Sequence, residues 1–163
     1  MKGWILFSVM ALCSVSALGQ ETPNFAKFPE GVVKATVKQV NLSSHPRAKT
    51  FRAVLNNGLT GGVNFAGHFI IATWGCGSGC MQSAIIDGNT GNVFFPGALE
   101  GATLGYGELT NREPLEFKND SRLLILNGVP GGKETGYGTR YYEWTGQTLK
   151  LVKYEKKSGS ATP

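Results

Sequence analysis

The chain has 163 residues, of which 41% are hydrophobic and 17% charged, with a formal net charge of +5. That length suits one domain around one core and excludes a string of large domains. The basic residues are scattered, which excludes the dense patch that nucleic acid needs. A mildly basic surface favours acidic partners or anionic envelope polymers.

The N-terminus carries the strongest signal. Lys2 gives a positive start, an uncharged and largely apolar run follows from Trp4 to Leu18, and Ala17 and Gly19 are small. This is the pattern of a secretory signal peptide at 1–19, predicted to be cut after Gly19. The run is shorter than the roughly 20 residues of a membrane helix, and no later stretch is apolar enough for a span. Cys13 follows Leu12, not a small residue, so no lipid is expected there. The mature chain is therefore expected to be secreted or periplasmic. Losing Lys2 lowers its charge by one.

Residues 20–31 read as an N-terminal arm. Val32 to Leu42 alternates between faces and is rich in β-branched residues, which predicts a strand. Ser43, Ser44, His45 and Pro46 break it. Phe51, Val54 and Leu55 share a helical face, so a helix is predicted at 47–58, with Gly58 placed to end it. Gly67–Trp74, Met81–Ile86 and Val93–Phe95 read as strands, and Asp87-Gly88-Asn89-Thr90-Gly91-Asn92 supplies a turn between the last two. Residues 96–114 read as a long, exposed, glycine-rich loop with room for a short strand. Leu115–Phe117 pairs with Ser121–Asn127, and a second flexible stretch runs from Gly128 to Thr139. Arg140–Trp144 and Thr148–Tyr154 make a last hairpin. Residues 32–155 are thus expected to form a single domain, and the polar tail at 156–163 to be disordered. The fold is expected to be mainly β, an antiparallel meander of hairpins, barrel- or sandwich-like, with one packed helix.

Residues 74–80, Trp-Gly-Cys-Gly-Ser-Gly-Cys, are the distinctive segment. If the chain reverses at Ser78, Cys76 faces Cys80, Trp74 faces Gln82 and Ala72 faces Ala84. Directly opposed residues lie about 4.5–5.5 Å apart, inside the window for a disulfide. With Cys13 gone, the pair in an oxidising compartment is expected to be bridged. So short a ring is worth roughly 2 kcal/mol. Gly77 and Gly79 supply positive φ for the reversal. The same glycines would let backbone N–H groups of Gly77, Ser78 and Gly79 meet an anion.

Other constellations are weaker. His68 stands eight residues before Cys76, about 26 Å along a strand, too far for a Cys–His pair. The C-x-x-x-C spacing is not that of a redox motif. His45 and His68 lack zinc-finger spacing, so no metal or cofactor is predicted. Residues 128–134 have the wrong length and ending for a phosphate loop. Glu108, Glu113 and Glu116 are available for glycoside chemistry, with their separation open. Asp87 is expected to brace its own turn. Arg140, Tyr141, Tyr142 and Trp144 alternate, and one face is expected to offer an arginine-plus-aromatic surface.

At Asn64-Phe65-Ala66-Gly67-His68, the Trp74–Cys80 segment, Asp87 and Thr90-Gly91, the chain resembles a group of small exported bacterial proteins of unknown function. The likeness extends more loosely to Tyr141, Tyr142 and Trp144. The resemblance implies a shared fold and export, and brings no catalytic residue.

Three functions remain open. The first is an exported non-catalytic module that binds a protein or an envelope polymer through His68, Trp74, Gly77, Ser78, Gly79, Arg140 and Tyr142. It rests on two glycine-rich loops and on the lack of a convincing catalytic set. The second is a secreted or periplasmic hydrolase using the Gly77–Gly79 loop, with His68 as acid or base. The third is a thiol–disulfide redox protein at Cys76 and Cys80.

Overall fold

The computed structural model describes residues 21–103, 105–132 and 134–160. The leader expected at 1–19 lies outside the described residues. In chain order the elements are helix α1 (Arg52–Gly61) and strands β1 (Phe69–Gly77), β2 (Cys80–Asp87), β3 (Val93–Phe94), β4 (Glu100–Thr103) and β5 (Tyr106–Gly107). Then come β6 (Leu115–Phe117), β7 (Leu123–Gly128), β8 (Gly138–Trp144), β9 (Leu149–Lys156) and β10 (Gly159–Ser160). Short 3-10 turns occupy Phe25–Lys27, Pro46–Ala48 and Gly97–Leu99.

The expected mainly β architecture is present as two antiparallel four-stranded sheets, which do not close into a barrel. In the first, β2 pairs with β1 on one edge and with β3 and β4 in succession on the other. The second is the meander β6-β7-β8-β9.

Period-two patterning explains the layering. Phe69, Ile71, Met81 and Ile85 of the first sheet meet Leu124, Leu126, Tyr142 and Trp144 of the second in one core. The opposite face of β1 and β2, with Ile70, Ala72, Ala84 and Ile86, packs on Leu55 and Leu59 of α1 and on Val40. The outer face of the second sheet, with Leu123, Ile125 and Tyr141, lies under Phe25 and Phe28. Much of both sheets is thus buried on both faces, so Phe69–Ala72 and Leu123–Leu126 read as unbroken apolar runs.

Four local expectations are corrected. Residues 32–42 form no strand. Their amides bond instead to loop carbonyls, Val33 to Gly67 at 2.9 Å and Thr36 and Val37 to Gly88 at 2.8 and 3.1 Å. The approach is that close because Gly88 has no side chain: a Cβ there would sit 2.9 Å from the Ala35 Cβ. The helix runs over 52–61, not 47–58, because Pro46 opens a separate 3-10 turn in which His45 Nδ1 accepts from the Arg47 amide at 3.2 Å. Gly58 lies inside the helix. A Cβ there would come within 2.7 Å of the Ala72 Cβ, so this glycine lets α1 press onto β1. Gly62, at φ +86°, ends the helix.

The third correction is in the β1–β2 hairpin. Ala72 does face Ala84 and Trp74 does face Gln82, but Cys80 pairs with Gly77, and Cys76 falls in a register break between Gly75 and Gly77. The turn narrows to Ser78–Gly79. The bridge forms nonetheless, with Cα atoms 5.1 Å apart, because the bulged residue stays next to the strand end. Fourth, the tail expected to be disordered from 156 is paired as far as Ser160, since β10 adds to β5.

Candidate functional site

The expected site residues fall into three places. Gly77, Ser78 and Gly79 form the exposed tip of the β1–β2 hairpin beside the disulfide. A Cβ on Gly77 or Gly79 would touch nothing within 4 Å, so only their positive φ, +141° and +65°, requires glycine. The tip does adjoin the second glycine-rich loop: Cys80 pairs with Thr103, and Thr103 bridges to Val129.

Arg140 and Tyr142 are interior, not surface, with 3% and 1% of their area exposed. Both faces of β8 are buried: Tyr142 and Trp144 lie in the inter-sheet core, Tyr141 lies on the outer face with Leu123 and Ile125, and Arg140, on the Tyr142 face, lies under the loop that precedes the strand. The Arg140 guanidinium donates to the carbonyls of Thr135 and Gly136, lies 4.0 Å over the Tyr154 ring, and pairs with Glu134 at 3.3 Å. The Tyr142 hydroxyl donates to the same carboxylate at 2.7 Å. Burial, reinforced by that bond, pushes the Tyr142 phenol well above its usual range. It therefore stays a donor at any ordinary pH. These two side chains hold Glu134 in position; they offer no contact surface themselves.

Glu134 borders a cleft of about 640 Å³ between the sheet edges. One wall is apolar, with Phe94, Phe95 and Pro96. Asn92, Gln147 and Thr148 bring amides and a hydroxyl. Trp74 reaches this cleft through a row of half-buried rings. It stacks on Phe51 at 4.7 Å, Phe51 lies 6.0 Å from Phe95, and Phe95 lies 4.7 Å from His45, which itself lines the cleft. Arg47 sits over both Phe51 and Phe95 at 5.3 and 4.6 Å and pairs with Glu100 at 2.6 Å. Such cation–π contacts help fix the rings, which remain half-buried. Sequence reasoning missed Phe51, Phe95, Arg47 and Glu134. Only Arg47 and Phe51 are linked by spacing, four residues apart; Phe95 and Glu134 come from distant loops.

His68 stands at the other end of β1 from the hairpin tip, so the residues proposed for hydrolysis at Gly77–Gly79 do not converge. It lines a second pocket, of about 390 Å³, with Glu30, Asp87, Arg122, Trp144 and Thr145. Its Nε2 lies 3.7 Å from Asp87 Oδ1. Asp87 also braces its turn, accepting from the Asn89 amide at 2.8 Å and the Thr90 hydroxyl at 2.8 Å. The chain before His68 is strained: Ala66 has φ +41°, and Gly67 at +81° closes a γ-turn from the His68 amide to the Ala66 carbonyl at 3.0 Å. The indole N–H of Trp144 is buried without a hydrogen-bond partner among the described residues. Trp144 also stands between the two pockets, edge-on to Phe94 at 5.4 Å and to Phe69 at 5.3 Å.

Of the three glutamates considered for glycoside chemistry, Glu108 and Glu116 line a small polar pocket on the outer face of the second sheet. Each is engaged there, Glu108 by the Ser158 amide at 2.6 Å and Glu116 by Asn127 at 2.8 Å. Glu113 contributes its backbone carbonyl to Asn127. Among the described residues no group of three His, Cys, Asp or Glu side chains is placed to hold a metal, and no helix is long and apolar enough to cross a membrane. Comparisons with protein-family models, curated proteins and solved structures give no match.

Proposed function

We propose that the protein is an exported binding module that holds an acidic glycan chain of the cell envelope along the aromatic row and in the adjoining cleft. The observation that carries this reading is the row Trp74–Phe51–Phe95–His45, which runs into a cleft lined with amides and hydroxyls. A sugar ring has apolar C–H faces and a polar rim. Half-buried rings suit the first, and convergent Asn, Gln, Thr and Glu side chains suit the second. Arg47 lies on the row, and Lys49 and Arg52 follow it in sequence, against Glu100 and Glu134. Arg47 is already paired with Glu100, so the preference for an acidic chain over a neutral one rests on the net charge of +5.

Calorimetric titration with oligogalacturonate and with maltooligosaccharides of equal length tests the reading. The acidic oligomer is expected to bind more tightly. Phe95→Ala is expected to weaken it at least tenfold, about 1.4 kcal/mol. Absence of binding by either glycan, or an unchanged affinity in Phe95→Ala, would sink it.

A second reading, hydrolysis of the bound chain, draws on the strained Ala66–Gly67 turn that precedes the His68–Asp87 pair. The cleft and the His68 pocket flank the same β8–β9 turn, residues 145–148. His68 would act as acid or base, with Asp87 beside it at 3.7 Å. His68→Ala is then expected to leave the melting temperature within about 2 °C and to abolish release of reducing ends from the oligogalacturonate. Loss of fold in that variant marks His68 as structural, and so does an absence of reducing ends from the unaltered protein.

A further inference from the structure

Val32 and Val33 are the most exposed large hydrophobic residues of the fold, at 49% and 51%. They belong to the segment whose alternation predicts a strand. Here that segment lies off the sheet, leaving a groove of about 690 Å³ between itself and the C-terminal end of α1. Val37, Leu59 and Val63 extend the apolar lining, and Lys34 and Lys38 stand beside it. No acidic side chain lines the groove. Neither lysine has an ion-pair or hydrogen-bond partner among the described residues. An adjacent pair of exposed valines is informative because apolar side chains gain by leaving water. A concave trough lined by apolar side chains together with two free cations complements one chemistry, an alkyl chain ending in an anion.

We propose that this groove binds the alkyl chain of a single long-chain carboxylate, with Lys34 and Lys38 holding its head group. The site shares no lining residue with the aromatic row or its cleft, so it stands or falls separately from the glycan reading. Backbone bonds from Val33 to Gly67 and from Thr36 and Val37 to Gly88 hold the outer wall against the turns of the first sheet. The wall is therefore in place before the ligand arrives, which lowers the ordering cost of binding.

The test is calorimetric titration of the purified protein with octanoate, decanoate and dodecanoate, each below its micelle-forming concentration. Dodecyltrimethylammonium serves as the chain-matched cation. Binding at one to one is expected. Affinity should rise roughly tenfold for each two methylenes, as burial of each CH₂ multiplies it about three- to fourfold. The cation should bind at least tenfold more weakly. Lys34→Glu with Lys38→Glu, both exposed positions, should reverse that preference. Val33→Asp should remove binding of both amphiphiles without shifting the melting temperature by more than about 2 °C. Affinity independent of chain length, equal binding of cation and anion, or an unaltered preference in the double lysine variant overturns the proposal. Sedimentation with phosphatidylglycerol vesicles and no uptake of free dodecanoate also overturns it, because the occupant is then a membrane surface.

Discussion

Gly131→Ala is expected to lower the melting temperature and to remove glycan binding together. A Cβ on Gly131 would lie 2.0 Å from the carbonyl oxygen of Glu100 and 2.9 Å from that of Gly97. Both are backbone atoms and cannot swing aside as a side-chain tip would. The Gly131 amide is also bonded to the Ala98 carbonyl at 2.9 Å, so the clash and the bond compete for one position. Overpacking of this kind costs about 3 kcal/mol. For a domain of this size that is roughly 6–12 °C in Tm. If the loop moves away to relieve the clash, Glu134 moves with it and the cleft loses its polar wall. Gly97→Ala is the matched control for stability, because a Cβ there meets nothing within 4 Å. Scanning calorimetry and titration with oligogalacturonate read both effects. A Gly131→Ala protein as stable as the parent would mean that the 128–139 loop is not held against residues 97–100.

The second large effect is expected at Arg140. Its guanidinium is 3% exposed and joins the Thr135 and Gly136 carbonyls, the Glu134 carboxylate and the Tyr154 ring. Arg140→Ala strands two carbonyls and leaves Glu134 with only the Tyr142 hydroxyl. Hydrogen bonds from a charged donor contribute about 1.5–3 kcal/mol each, and the lower end applies here because Thr135 and Gly136 are exposed residues. Glu134 is itself part-exposed, so its share is reduced by solvent screening. A total loss of about 3 kcal/mol is expected, seen as a lower urea midpoint at unchanged m. Glycan affinity should fall at least tenfold as Glu134 loses its fixed place. Arg140→Lys should restore little, since one ammonium cannot reach two carbonyls and a ring as the planar fork does. Full stability in Arg140→Lys would show that charge alone, and not fork geometry, anchors the loop.

Much of the fold was legible locally. Placing the reversal at Ser78 gave the β1–β2 register from Ala72–Ala84 to Trp74–Gln82, because neighbours across a hairpin are also close in sequence. The Cys76–Cys80 bridge followed from a chain reversal at Ser78, which brings the two cysteines within disulfide reach. Asp87 could be assigned to its turn because its hydrogen bonds reach only two or three residues ahead.

The rest depended on contacts that sequence spacing does not encode. Val32–Leu42 has strand-like alternation, but strand formation needs an available edge. Its amides instead found the turn carbonyls of Gly67 and Gly88, reached over glycines. Arg140 read as surface because charged residues are seldom buried unpaired, yet its own preceding loop supplies every partner it needs. Trp74, Phe51, Phe95 and His45 lie in four separate segments, and only the docking of α1 and the β3 edge onto the first sheet puts their rings in one row. Local pattern thus determined the hairpins whose partners are close in sequence. Tertiary packing decided which side chains face solvent, because each sheet is covered on both faces and the gaps between those covers are where the candidate sites lie.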